Sequence, residues 1–215
     1  SCVNPAPPPA PGGGCCTVET VSVPCGPDPN LSNECCYYVL YRVQQICAGR
    51  PFVVGGEART AALQPGDDWS VALRPSCEEL SAEQREALRE AWLADALDEH
   101  ASIAAFARFS LQLLQLGAPA ELLHMSQRAL RDEIVHAEFC FGMANAYGDE
   151  PVGPGPLEVD HALAADCDAE ALVIATLREG CLGEMAAAMV ASEATERCQD
   201  PVVRKVLDKI VRDES

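Results

Sequence analysis

The chain has 215 residues, with 33 acidic and 15 basic side chains and a formal net charge of −18. A surface this negative argues against nucleic acid and anionic membranes as partners, and it favours soluble cations. The sequence contains no run of 18 apolar residues, so we predict no membrane-spanning helix. Its length suits one domain with a small extra module.

Cysteine is concentrated at the start of the chain. Such density is typical of a small disulfide-stapled module and predicts an extracytoplasmic location: periplasm, cell surface or secreted. A zinc module is the alternative, although no Cys-x-x-Cys pair and no histidine precede residue 100. We predict a disulfide-stapled module and linker over residues 1–80, with its cysteine pairing left open. Eight of the twelve cysteines lie here: Cys2, Cys15, Cys16, Cys25, Cys35, Cys36, Cys47 and Cys77.

Inside this module, two segments have the composition of strands. Tyr37–Val43 and Pro51–Leu63 are rich in β-branched and aromatic residues, and we predict short strands there, arranged as a hairpin or separately. Residues 1–30 show no periodicity and are predicted to be loop. Residues 64–80 are predicted to be the linker.

From Ser81 onwards the composition is helical, and we predict a four-helix bundle over residues 81–215. Ser81 and Gln84 form a capping box that starts a first helix, which is expected to end at Gly117. A second helix is predicted to start at Pro119 and to end at Gly148.

A connection over residues 149–167 separates these two helices from the next pair. Asp168 is the predicted N-cap of a third helix that runs to about Cys198. Asp200 and Pro201 then form the cap and first turn of a fourth helix. Two helix pairs joined by one long connection form the topology of ferritin-like bundles.

Each predicted helix carries one glutamate on an otherwise apolar face: Glu99, Glu133, Glu184 and Glu214. His136 follows Glu133 by three residues, which places both side chains on the same side of the helix. A single such glutamate is more often exposed or salt-bridged. Four unpaired carboxylates in a core would be costly, because burial and mutual repulsion both oppose their charge. Two divalent cations would offset both costs, so we predict that these five residues are metal ligands.

Three motifs resemble the ferritin-like di-iron carboxylate superfamily: Asp98-Glu-His-Ala-Ser102, Asp132-Glu-Ile-Val-His-Ala-Glu138 and Glu179-Gly-Cys-Leu-Gly-Glu184. The resemblance covers about residues 82–215. It implies that the five ligands hold two iron ions, with manganese as the other metal, and that the centre reacts with oxygen or peroxide. Rubrerythrin-like sites use an additional glutamate on this helix, which makes Glu179 an alternative or extra ligand, although five residues before Glu184 it points away from the same face. Asp98 and Asp132 are candidates to hydrogen-bond the histidine of a neighbouring helix.

In the superfamily pattern, a second histidine would occupy position 217, beyond the last residue of this sequence. We expect it from residues that follow Ser215 or from a complementary C-terminal fragment that associates with the chain. A degenerate site that lacks it is the third alternative. Association into a homo-oligomer is also expected.

The predicted function is that of an exported ferritin-like metal-binding protein with oxidase or ferroxidase chemistry. Whether the chain is an enzyme is left open. One alternative is a structural or surface-assembly protein that could form filaments, and another is an iron carrier or store without turnover. No dinucleotide fingerprint or phosphate-binding loop occurs, so a nucleotide cofactor is not expected.

Overall fold

The computed structural model describes residues 18–25, 38–43, 50–164 and 167–214. The chain divides into two compact units, Ser1–Cys47 and Ala48–Ser215. In the first unit, strand β1 (Val18–Cys25) pairs antiparallel with β2 (Tyr38–Val43). The strand predicted at Tyr37–Val43 is therefore confirmed. The loop prediction for residues 1–30 is wrong over β1, a segment rich in the β-branched residues that strands favour.

The disulfide prediction for this module depends mainly on cysteines outside the described residues. Cys77 is described and carries a free thiol, as do Cys140, Cys167, Cys181 and Cys198. The unit that starts at Ala48 includes both the helices and the segment 50–80. The predicted module boundary at residue 80 stays a prediction.

Two short strand pairs precede and support the helices. Strands β3 (Val53–Val54) and β4 (Glu57–Ala58) form a hairpin within the segment Pro51–Leu63, where short strands were predicted. Gly55 and Gly56 connect them with φ angles of 64° and 89°, a conformation that glycine adopts without strain.

The other pair joins the predicted linker to the long connection between the helix pairs. Strand β5 (Leu63–Pro65) lies antiparallel to β6 (Val152–Pro154). Neither strand was expected at its place. Each has only three residues, and their pairing spans almost ninety positions of sequence, so no local pattern indicates it.

Helices α1 (Ala82–Gln115) and α2 (Ala120–Tyr147) pack along each other and form the main scaffold. Both ends of α1 agree with the sequence prediction. Ser81 and Gln84 form the capping box, and Gly117 has a φ of 66° just after the helix. Pro119 precedes α2 as its N-cap, and Gly148 follows its last residue.

The predicted third helix is a continuous rod of three parts. It starts as α3 (Ala169–Ala175), passes through a π-helical segment (Thr176–Gly183) and continues as α4 (Glu184–Arg197). Asp168 caps its start by accepting a hydrogen bond from the Glu170 backbone N–H. The π segment was not predicted, and π-helical turns are frequent at functional sites.

The fourth predicted helix is α5 (Pro201–Asp213), which contacts both α4 and α2. The Asp200 carboxylate caps it by accepting from the backbone N–H groups of Val202 and Val203. The same carboxylate accepts a hydrogen bond of 2.6 Å from the Ser76 backbone N–H. The segment before α1 is thereby fixed to the start of α5.

The largest core cluster lies between α1, α2 and α5 and includes Trp92, Phe141, Met143 and Ile210. A loop crosses α2 at Gly142, where a β-carbon would overlap the Val71 carbonyl oxygen. Within the described ranges, no helix has the length and apolar character needed to cross a bilayer.

Candidate metal centre

All five predicted ligands converge in the bundle. Glu99 comes from α1, and Glu133 and His136 come from consecutive turns of α2. Glu184 is the first residue of α4 after the π segment, and Glu214 directly follows α5. Four segments that are far apart in sequence therefore place one acidic side chain each at the same point.

The five residues form two overlapping groups that could each hold a metal ion. Glu99, Glu133 and His136 make the first group, and Glu133, Glu184 and Glu214 make the second. Within each group, one ligand atom per residue lies within 4.8 Å of the others. Glu133 belongs to both groups, so its carboxylate could contact an ion in each of them.

The ring of His136 is fully buried and turns one nitrogen toward the carboxylates. Its Nδ1 atom lies 3.2 Å from Glu214 Oε1 and 3.7 Å from Glu99 Oε2. Neither contact is aligned as a hydrogen bond. Nδ1 is therefore the nitrogen that a metal ion between these carboxylates would contact.

The opposite ring nitrogen is held by an acid that the sequence prediction missed. Nε2 of His136 lies 3.0 Å from Asp213 Oδ2, and Asp213 also forms an ion pair with Lys209. A carboxylate on the far nitrogen fixes the tautomer and orientation of a metal-binding histidine. A signal was available in the sequence: Asp98 and Asp132, which were proposed for this role, each precede a candidate ligand, and Asp213 likewise precedes Glu214.

Several buried polar atoms of the cluster lack hydrogen-bond partners among the described residues: Glu99 Oε2, Glu133 Oε2, His136 Nδ1 and both carboxylate oxygens of Glu184. Unpaired buried polar atoms are rare because each costs the free energy of its lost hydration. A divalent cation contacts such oxygen and nitrogen atoms directly. The donor set therefore fits a metal ion better than it fits a metal-free core.

Protons partly balance the charges without a metal. Burial, together with Glu99 and the other carboxylates nearby, raises the pKa of Glu133 well above its usual value. Burial and Glu214 raise the pKa of Glu184 to about 9. Burial alone would lower the pKa of His136, but contacts with Glu214, Glu99 and Asp213 raise it to about 10. A metal ion would displace these protons.

A cavity of about 130 Å³ opens onto the second group. Glu99, Glu184 and Glu214 lie on its wall beside apolar side chains that include Ala187, Ala191 and Ile210. A small uncharged molecule could reach the carboxylates by this route without losing much hydration.

Glu179 does not join either ligand group, although it lies on the π segment five residues before Glu184.

Comparisons of the chain with protein-family models, with curated proteins and with solved structures give no match.

Proposed function

We propose that the helical unit is an exported ferritin-like protein that binds two iron ions and reacts with oxygen or peroxide as an oxidase or ferroxidase. The observation that carries the proposal is the pair of ligand groups sharing Glu133. Carboxylate and imidazole ligands suit iron and manganese. Two such ions, when bound, supply two electrons to one oxidant.

The chain's own residues would prepare the site in three ways. Glu133 would contribute its carboxylate to both ions, and Asp213 would orient His136. The apolar cavity beside Glu184 would admit a small uncharged oxidant and limit the entry of water.

Anaerobic loading of the full chain with ferrous iron, followed by exposure to oxygen, tests the proposal. We expect about two irons per chain and a change of visible absorption on oxidation. Glu133→Gln should lose most of the iron, and Glu121→Gln, an exposed site on the same helix, should not. A protein that binds no iron contradicts the proposal. Iron binding without a change on exposure to oxygen would indicate a carrier or store.

A second candidate function, self-assembly, is favoured by an exposed apolar surface on the third helix. Leu182, Met185 and Met189 are 64%, 57% and 69% exposed. Copies of the chain could pair through this surface. Light scattering after size-exclusion chromatography tests this: Met185→Gln with Met189→Gln should lower the measured mass, and Met125→Gln, an equally exposed site on α2, should not.

A further inference from the structure

Two arginines line a second cavity that contains none of the five candidate metal ligands. The cavity measures about 380 Å³ and lies between the β3–β4 turn, α1 and the start of the third helix. Arg50 and Arg108 are on its wall. Clustered guanidinium groups are unexpected in a chain with a net charge of −18.

Arg50 is the more buried of the two, with only 4% of its surface exposed. Its backbone N–H donates to Ser102 Oγ, and Ser102 Oγ donates to the Arg50 carbonyl oxygen at 2.8 Å. The guanidinium carbon lies 5.1 Å from the ring centre of Phe106 and 4.4 Å from that of Phe109. The side chain is thus held in one position by its backbone and by two aromatic faces.

The guanidinium group of Arg50 is poorly paired for a buried cation. Of its five N–H donors, one makes a described side-chain hydrogen bond, to Thr176 Oγ1 at 3.5 Å. In the part of the chain that the structure describes, no carboxylate oxygen lies within the 4.0 Å ion-pair distance of Arg50 or Arg108. A guanidinium stays charged when buried, so the absence of an anion carries a free-energy cost.

Arg108 is half-buried and faces the same cavity from α1. It donates to the Val53 carbonyl oxygen, and its guanidinium carbon lies 5.2 Å from the ring centre of Phe52. Two like charges near one cavity repel, and an anion between them would relieve both repulsion and desolvation.

Two acids, Asp168 and Glu179, also line this cavity, and neither forms an ion pair with Arg50 or Arg108. Asp168 is engaged as the cap of the third helix, where it accepts from the Glu170 backbone N–H at 3.1 Å. Glu179 attracts both guanidinium groups, and the buried Glu184 and Glu133 also attract Arg50. None of these carboxylates forms an ion pair with Arg50 or Arg108 among the described residues. The remaining wall combines the polar side chains of Gln112 and His161 with an apolar part that includes Val54, Ala105 and Leu172.

We infer that this cavity binds a small organic carboxylate, with its carboxylate group between Arg50 and Arg108 and its aliphatic part against Val54 and Leu172. Guanidinium groups bind carboxylates through paired, charge-assisted hydrogen bonds. The apolar wall would favour an aliphatic carboxylate over an inorganic anion, which has no apolar surface to bury.

Titration calorimetry of the metal-free full chain tests this inference with three probes: butanoate, butanamide and inorganic phosphate. Butanoate should bind, and the other two should bind at least about tenfold more weakly, because they lack either the charge or the aliphatic part. Equal binding of butanamide or of phosphate overturns the inference.

Variants locate the binding. Arg108→Gln should weaken butanoate binding at least about tenfold, and Arg128→Gln, an exposed arginine on α2, should leave it unchanged. Gln112→Glu leaves both arginines in place but adds a negative charge to the cavity wall, and it should also weaken butanoate binding at least about tenfold. If butanoate binds to both cavity variants as it does to the unmodified chain, the inference is wrong.

Glu133→Gln distinguishes this cavity from the candidate metal centre. It should bind butanoate normally while losing iron. Loss of butanoate binding in Glu133→Gln would place the carboxylate at the metal ligands and overturn the inference. Because every measurement uses metal-free protein, failure of the iron experiment would leave this result intact.

Discussion

The two ligand groups of the candidate centre share Glu133 but are built differently. Glu99, Glu133 and His136 stand inside long helices and are at most 9% exposed. Glu184 and Glu214 stand where the π segment meets α4 and where α5 ends, and both are half-buried. A ligand group on rigid, buried elements loses less freedom on binding. The first group should therefore hold its metal more tightly than the second.

The largest expected effect comes from the residue that both groups share. Glu133→Gln should abolish tight binding at both positions, whereas Glu184→Gln should spare the first group and leave about one metal per chain. Metal analysis after dialysis would measure this. Equal loss of bound metal in both variants would show that the two ligand groups bind metal as one site and do not differ in affinity.

Each ligand group contains one residue that is expected to hold a proton when no metal is bound. The pH dependence of the stability of the metal-free protein tests this. The folded chain holds protons on Glu184 and His136 up to pKa values of about 9 and 10, against ordinary values of 4.5 and 6.5. At pH values between the ordinary and the raised pKa of each group, the folded chain therefore binds more protons than the unfolded chain. Stability should fall as pH rises from about 6 to about 9.

Thermal melting with and without manganese across this pH range checks the prediction. We expect the melting temperature of the metal-free protein to fall by several degrees and the stabilisation by metal to grow with pH, since fewer protons compete. A melting temperature that rises with pH would contradict the assignment of these protons.

A smaller effect is expected for the residue that orients the histidine. Asp213→Asn should weaken binding at the first group by about tenfold or more, while the second group keeps its affinity. Competition with a coloured chelator measures both affinities. Asp208→Asn, an exposed site on α5, is the control. A change confined to the second group would show that Asp213 does not act through His136.

The smallest effect contrasts the packing that surrounds the two groups. Gly142→Ala on α2 should destabilise the fold by about 1–3 kcal/mol, because the new methyl group overlaps the Val71 carbonyl oxygen. Gly180→Ala in the π segment meets its nearest atom at 3.8 Å, an ordinary contact. It should be neutral or slightly stabilising in denaturant unfolding. Equal losses would mean that the third helix is packed as tightly as α2.

Local signals made the helix ends predictable. The capping box at Ser81, the positive φ of Gly117 and the Asp200-Pro201 pair are set by neighbouring residues, and the structure has them at the predicted positions. Strands β5 and β6 depend on a partner far away in sequence, so they were missed. The π segment was missed because its residues have ordinary helical composition.

The five candidate ligands were also predictable, because charged residues on apolar helix faces need a partner. The structure brings them together, and metal binding by them stays a prediction. Asp213 and Arg50 required the tertiary structure. The role of Asp213 depends on how α5 meets α2, and the burial of Arg50 depends on the aromatic rings of α1.

The π segment also has a consequence for chain length. Its hydrogen bonds join residues five positions apart, so each turn holds more residues than an α-helical turn. Deletion of one residue between 176 and 183 would allow the segment to become α-helical. Helices α3 and α4 would keep their rotational orientation about the common helix axis. An insertion inside α2 would instead rotate His136 by about 100° relative to the helix before it. Evolution and protein engineering can therefore alter chain length beside Glu184 at a lower structural cost than beside Glu133.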